Sequence, residues 1–174
     1  EIDRVTGVQT CALPISPLGS VNLHASLLPQ YRGAAPINHA LFNGEKETGV
    51  TVFFLNRGVD TGEIISSEKV AISPLDNYGS LYDKLAVTGA SLLSKTAADI
   101  FAGNFTTRPQ EPVDFKTAPK IGPEDFLINW NMSAESIFNR IEGSLETRSL
   151  QTFEGRKIKI IEALFENTDH KYEP

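Results

Sequence analysis

The chain has 174 residues, 40% of them hydrophobic, and a formal net charge of −6 at pH 7. That length suits one ordinary domain, or one and part of another, and the evenly spread charge gives no overall pull toward nucleic acid, so any RNA contact needs a local basic face. No apolar run approaches the roughly 18 residues of a membrane helix, no basic and apolar leader opens the chain, and Cys11, the single cysteine, excludes an intrachain disulfide; together these point to the cytoplasm.

Residues 1–16, EIDRVTGVQTCALPIS, follow neither helical nor strand periodicity. The string resembles translated adapter sequence and is set aside from the fold as foreign; the other reading is an irregular natural terminus. Val21 to His24 predicts a short buried strand, and Leu27 to Gly33 a loop punctuated by Pro29 and Gly33. Ala35 to Phe42 predicts a helix with Pro36 in its first turn, ended by Asn43-Gly44.

Thr48 to Leu55 is β-branched and aromatic, which predicts a strand. Asn56 to Gly62 is a turn-rich loop, and Glu63 to Ile72 alternates as a partly exposed strand. From Asn77 to Phe101 apolar residues recur at helical spacing (Leu81, Leu85, Leu92, Leu93, Ala97, Ile100), predicting a long amphipathic helix closed by Gly103. Pro109, Pro112, Pro119 and Pro123 then mark 104–122 as a semi-extended linker. Beyond it, Phe126 to Trp130 predicts a strand, Ser133 to Ile141 a helix capped by Ser133, and Lys157 to Leu164 another strand. These are too few elements to bury a core, and a buried parallel sheet around Val21–His24 needs more strands beside it. The chain therefore reads as part of a longer protein.

Two stretches carry the chemistry. Asn22-Leu23-His24-Ala25-Ser26-Leu27-Leu28-Pro29 runs into Arg32-Gly33, and Val59-Asp60-Thr61-Gly62 follows. Alone, His24 reads as a core histidine bonded to backbone, and Asp60 as a turn aspartate beside Gly62. Asn22 and His24, two apart on a strand, point to one face. His39 reads as structural or exposed and His170 as solvated; no His/Cys cluster has metal-ligand spacing, so no metal is expected.

In combination, NLHASLLPQYRGAAPINHAL followed by TGVTVFFLNRGVDTGEI resembles the folate-dependent formyltransferases, and among them the branch acting on methionyl-tRNA; the resemblance spans about Leu18 to Leu164. It implies a partial Rossmann-like α/β catalytic domain over 17–103, a linker over 104–122, and over 123–174 the start of an OB-like β-barrel. It further implies transfer of a formyl group from 10-formyltetrahydrofolate to the amino group of methionyl-tRNA, releasing tetrahydrofolate, by a cytoplasmic monomer. The catalytic residues implied are Asn22, His24 and Asp60, and the folate-contacting loop is Ser26, Leu27, Leu28 and Pro29.

A sugar nucleotide or purine precursor as acceptor, or a non-catalytic folate- or RNA-binding module, are the alternatives. Arg32 could shape the loop or meet a phosphate. Arg148, Arg156, Lys157 and Lys159 could begin a basic face or form a solvated strand edge. Two departures stand out: Glu142 replaces a usual Arg, and Asn129 a usual Asp. The family's N-terminal half is not matched, so the 174 residues by themselves are expected to be inactive.

Overall fold

The computed structural model describes residues 16–111, 114–144, 149–153, 156–160 and 163–164. Residues 1–15, His170, Arg148 and the side chains of Arg156 and Lys157 lie outside that set, and so do the expectations placed on them.

Three strands form the main sheet: β1 (Val21–His24), β3 (Glu47–Phe54) and β4 (Ile64–Ala71), in the order β1-β3-β4. Both pairings are antiparallel, with His24 opposite Thr51 and Thr51 opposite Ser67. The turn-rich residues 55–63 return the chain directly from β3 to β4, and a short return produces an antiparallel neighbour; β1 reaches β3 by the longer path through residues 25–46. Central β3 is buried on both faces, matching its run of Val50, Thr51, Val52 and Phe53. Edge strand β4 is largely exposed, matching its alternation. β1 is half-buried, and only His24 within it is fully enclosed.

Helix α2 (Tyr78–Ala102) packs on this sheet. Asn77 accepts from the Ser80 backbone N–H, and the Ser80 hydroxyl accepts from that of Asn77, so a reciprocal cap opens the helix. Gly103, left-handed at φ 70°, ends it. Leu81 and Leu85 enter the core with Tyr31, Ile37, Leu41 and Val50. Short helix α1 (Pro36–Phe42) covers the next part, with Pro36 in its first turn as its missing N–H allows.

The described residues of segment 104–122 are pinned to the rest of the fold at several points. Ile64 and Arg108 exchange backbone hydrogen bonds of 2.8 and 2.9 Å. Strand β5 (Thr117–Ala118) pairs in parallel with β2 (Arg32–Gly33), and Ala118 is wholly buried in the main core. The segment is thus a strap laid over the loops that follow β1 and β3.

Beyond the strap, the strand expected over Phe126 to Trp130 is absent; Pro123–Phe126 forms a 3₁₀ turn instead. Pro123 presets its first φ, and the Asp125 carboxylate accepts from Gly122 N–H at 2.8 Å, closing the turn. Helix α3 (Ala134–Glu142) begins at the expected cap, Ser133, whose hydroxyl accepts from Ser136 N–H. It docks on α1, where the Asn38 amide donates to the Gly143 carbonyl at 2.8 Å and the Arg140 guanidinium lies 4.8 Å from the centre of the Phe42 ring. A hairpin follows, β6 (Ser149–Phe153) with β7 (Arg156–Ile160). β6 was unforeseen, and β7 ends short of Leu164.

Candidate active site

His24 occupies the last position of β1, where the strand hands over to the loop that returns through Tyr31. The ring is 6% exposed, and its Nε2 lies 2.8 Å from the Tyr31 carbonyl. A carbonyl only accepts, so Nε2 carries the hydrogen and Nδ1 is the ring atom left for proton exchange. Facing Nδ1 at 3.7 Å is Oδ2 of Asp60, itself 7% exposed. That separation exceeds a direct hydrogen bond, so the carboxylate acts on the ring by charge. The same Oδ2 accepts from Gly33 N–H at 2.9 Å.

Two backbone irregularities make this encounter possible. Among the described residues, Tyr31 and Asp60 are the two non-glycine residues with positive φ, at 59° and 51°. The first turns its carbonyl toward Nε2; the second turns the Asp60 carboxylate inward. Gly33, at φ 127°, meets the strap so closely that a Cβ would lie 2.3 Å from the Ala118 carbonyl oxygen. Gly62 allows the loop to close against β3, since a Cβ there would strike the Phe54 carbonyl. The Gly-rich punctuation of both sequence stretches thus serves close backbone approach.

Asn22 lies two residues before His24 on the same strand, half-buried, and its amide has no hydrogen-bond partner among the described residues. A cleft of about 270 Å³ opens beside His24, walled by Gly33, Pro36, Asn38 and Tyr78.

The four loop residues divide by role. The Ser26 hydroxyl, wholly buried, donates to the Gln30 carbonyl at 2.5 Å. Thr51, opposite His24 on β3, donates to the Ser26 carbonyl at 2.7 Å and accepts from Leu28 N–H at 3.2 Å. The Leu28 side chain is in a small core with Phe53 and Ile64, and the Leu28-Pro29 peptide is cis. Leu27 differs: it lines an open cleft of about 290 Å³ with Gln30, Tyr31, Thr48 and Lys116.

Arg32 is committed within the protein. Its Nε and Nη2 donate to Oε1 of Gln110 at 2.9 and 2.6 Å, and the guanidinium lies 4.4 Å from the centre of the Phe115 ring. Burial lowers its pKa, while the nearby Asp60 charge pulls the other way. His39 is structural, with Nε2 at 3.0 Å from the Pro119 carbonyl and its ring edge-on to Phe42. Below the site, the Tyr31 hydroxyl donates to Glu45 at 2.6 Å. Burial first, and then this bond, push the Tyr31 pKa up. Burial opposes the charge on Glu45, but bonds from Lys116 and Tyr31 outweigh it and hold that carboxyl below its usual range. Among the described residues no group of three or more His, Cys, Asp or Glu side chains could hold a metal ion.

Gln110 was missed from the sequence. It lies in the Pro-spaced segment, and no local pattern marks an amide that closes on backbone about fifty positions earlier, at Asp60.

An imidazole set between a fixed carbonyl and a buried carboxylate, with an amide free among the described residues on the same strand, could chemically exchange a proton at Nδ1 and offer an N–H to a developing oxyanion. Residues 10–97 match the family model described as formyl transferase, and residues 120–174 match the formyl transferase C-terminal domain. The chain belongs to the formyl transferase family. Methionyl-tRNA formyltransferase of Listeria monocytogenes serovar 1/2a is 42% identical over 157 residues, covering 90% of this chain and 50% of that protein. Of solved structures, the sugar 3N-formyl transferase WlaRD, determined in the presence of dTDP and 5-N-formyl-THF, superimposes with a TM-score of 0.66 at 27% identity, over 71% of this chain and 45% of its own. A 4-N formyltransferase from Francisella tularensis gives a TM-score of 0.71 at 20% identity, over 84% and 62%, a likeness of fold. The chain spans about half the length of the curated relatives it matches.

Proposed function

We propose that the protein carrying this chain transfers the formyl group of 10-formyltetrahydrofolate to the amino group of methionyl-tRNA in translation initiation. The observation that carries this reading is the buried His24–Asp60 pair, 3.7 Å apart beside an open cleft, in a chain 42% identical to a methionyl-tRNA formyltransferase.

When bound, the folate supplies the one-carbon acyl group. Asn22 donates an amide N–H to the formyl oxygen as it gains negative charge under attack by the amine. His24, with Nε2–H held by Tyr31, takes up through Nδ1 the proton that the amine loses and returns it to the folate nitrogen as its bond to the formyl carbon breaks and tetrahydrofolate leaves; Asp60 stabilises the imidazolium formed in between. Ser26, Leu27, Leu28 and Pro29 form the folate-contacting loop; Leu27 faces an open cleft, and Ser26 and Leu28 also hold the loop's shape from inside. No step calls for a metal.

Residues 17–103 supply the catalytic part and 104–122 the connection. Residues 123–174 begin an OB-like barrel, to which the β6–β7 hairpin belongs, and Lys159, exposed on β7, contributes to a basic face for the tRNA. The protein acts as a monomer in the cytoplasm.

A sugar-nucleotide acceptor is the second reading, favoured by the likeness to WlaRD. A formylation assay of the full-length protein with both acceptors in competition separates them: product on methionyl-tRNA supports the first reading, and product on the sugar nucleotide alone overturns it. A non-catalytic binding module predicts no product with either.

A further inference from the structure

We propose that Gln110, on the strap between the two units, is a positioning residue of the active site: it holds the left-handed backbone at Asp60 that brings the carboxylate to His24. The inference rests on the proposed roles of His24 and Asp60.

The amide of Gln110 is fully used. Its Nε2 donates one hydrogen to the Asp60 carbonyl at 2.9 Å and the other to the Gly62 carbonyl at 2.8 Å. Its Oε1 accepts both Arg32 bonds, at 2.9 and 2.6 Å. An amide presents two donors on one side and two acceptor lone pairs on the other, and here every one meets a partner of the right kind. A left-handed φ of 51° at an aspartate is an uncommon conformation that persists only where its surroundings over-determine it. Gln110 supplies that determination from outside the loop by clamping the carbonyls on both sides of Thr61.

The other end of the clamp matters equally. Arg32 immediately precedes Gly33, whose N–H holds the Asp60 side chain. Gln110 therefore ties the Asp60 main chain to the same short strand that holds the Asp60 carboxylate. Gln110 lies between two backbone pairings of the strap, Ile64–Arg108 on one side and Arg32–Gly33 with Thr117–Ala118 on the other.

Gln110→Glu is the decisive variant, being isosteric. It keeps the Arg32 acceptor but sets an oxygen against two carbonyl oxygens, which releases the Asp60 backbone. The test is steady-state formyl transfer to methionyl-tRNA by the full-length protein, with Gln110→Glu, Gln110→Ala, Asp60→Asn and the double variant Gln110→Glu/Asp60→Asn. Both Gln110 variants are expected to lower kcat by about tenfold to a hundredfold, the scale of a reacting group slightly misplaced. KM for methionyl-tRNA should be unchanged, and Gln110→Glu should cost nothing further once Asp60 is Asn. Wild-type kcat in both Gln110 variants, with Asp60→Asn impaired, overturns the inference alone. So does an equal additional loss in the Asp60→Asn background, because that signals a general structural role. Wild-type kcat in Asp60→Asn overturns the reading of the site, and this inference with it.

Discussion

Tyr31 and Asp60 bear the conformational cost of the site. A non-glycine residue in the left-handed region costs on the order of 1–3 kcal/mol, least for aspartate and more for a bulky side chain. Both sit where a polar group must face His24. Asn22 offers a sharper experiment, because its amide has no hydrogen-bond partner among the described residues. In the full-length protein, Asn22→Ala should lower kcat by about 10²–10³-fold, the usual loss for one oxyanion donor, with the thermal midpoint unchanged; a fall in both would make Asn22 structural.

Away from the site, Asp76 reports on pH. Burial opposes its charge, but bonds from Lys84 at 2.5 Å, the Ser73 backbone N–H and the Ser80 hydroxyl hold its carboxyl below the usual 3.8. Its stabilisation is complete above that value and is lost as pH falls through the lower folded-state pKa. Asp76→Asn should therefore lower stability at pH 7 and flatten the decline below about pH 4, measured by denaturant midpoints across pH. At this scale the sequence was readable where residue types combined. Asn22, His24 and Asp60 stand out through the specific spacing of the two motifs, although Asn22-x-His24 alone says little, and the fold brings His24 and Asp60 within 3.7 Å. Arg32 and Gln110 were not assigned to each other, because their partnership depends on a strap path that no periodicity encodes.

The elements that were legible are those with local stop and start signals. Asn77 and Gly103 bound the long helix as read, and Ser133 caps α3. The β5 pairing and the 3₁₀ turn were not legible. The first is two residues long and defined by a distant partner, and the second was masked by the apolar character of Phe126 to Trp130. Packing at this level gives two further tests. Leu81 is wholly buried against the sheet, so Leu81→Ala should cost about 2–5 kcal/mol, read from urea unfolding. Gly33→Ala should be destabilising too, since the new methyl meets the Ala118 carbonyl at 2.3 Å in a backbone conformation that alanine avoids. It should also reduce formyl transfer, because the Gly33 N–H holds Asp60.

Across the whole molecule, the strap makes one structural unit of what reads in sequence as a domain and a linker. It contributes Ala118 to the main core, bonds to both loops of the site, and leads to α3, which docks on α1. Family membership was visible from two motifs, whereas the antiparallel pairing of β1 with β3 was not, because strand direction follows the path of the connection. The most direct test of the account measures formyl transfer from 10-formyltetrahydrofolate to methionyl-tRNA by the full-length protein and by its His24→Ala and Asp60→Asn variants. The account predicts formylmethionyl-tRNA from the wild type and a large loss of kcat in both variants. Unchanged turnover in the two variants, or no transfer to methionyl-tRNA by the wild type, would contradict it.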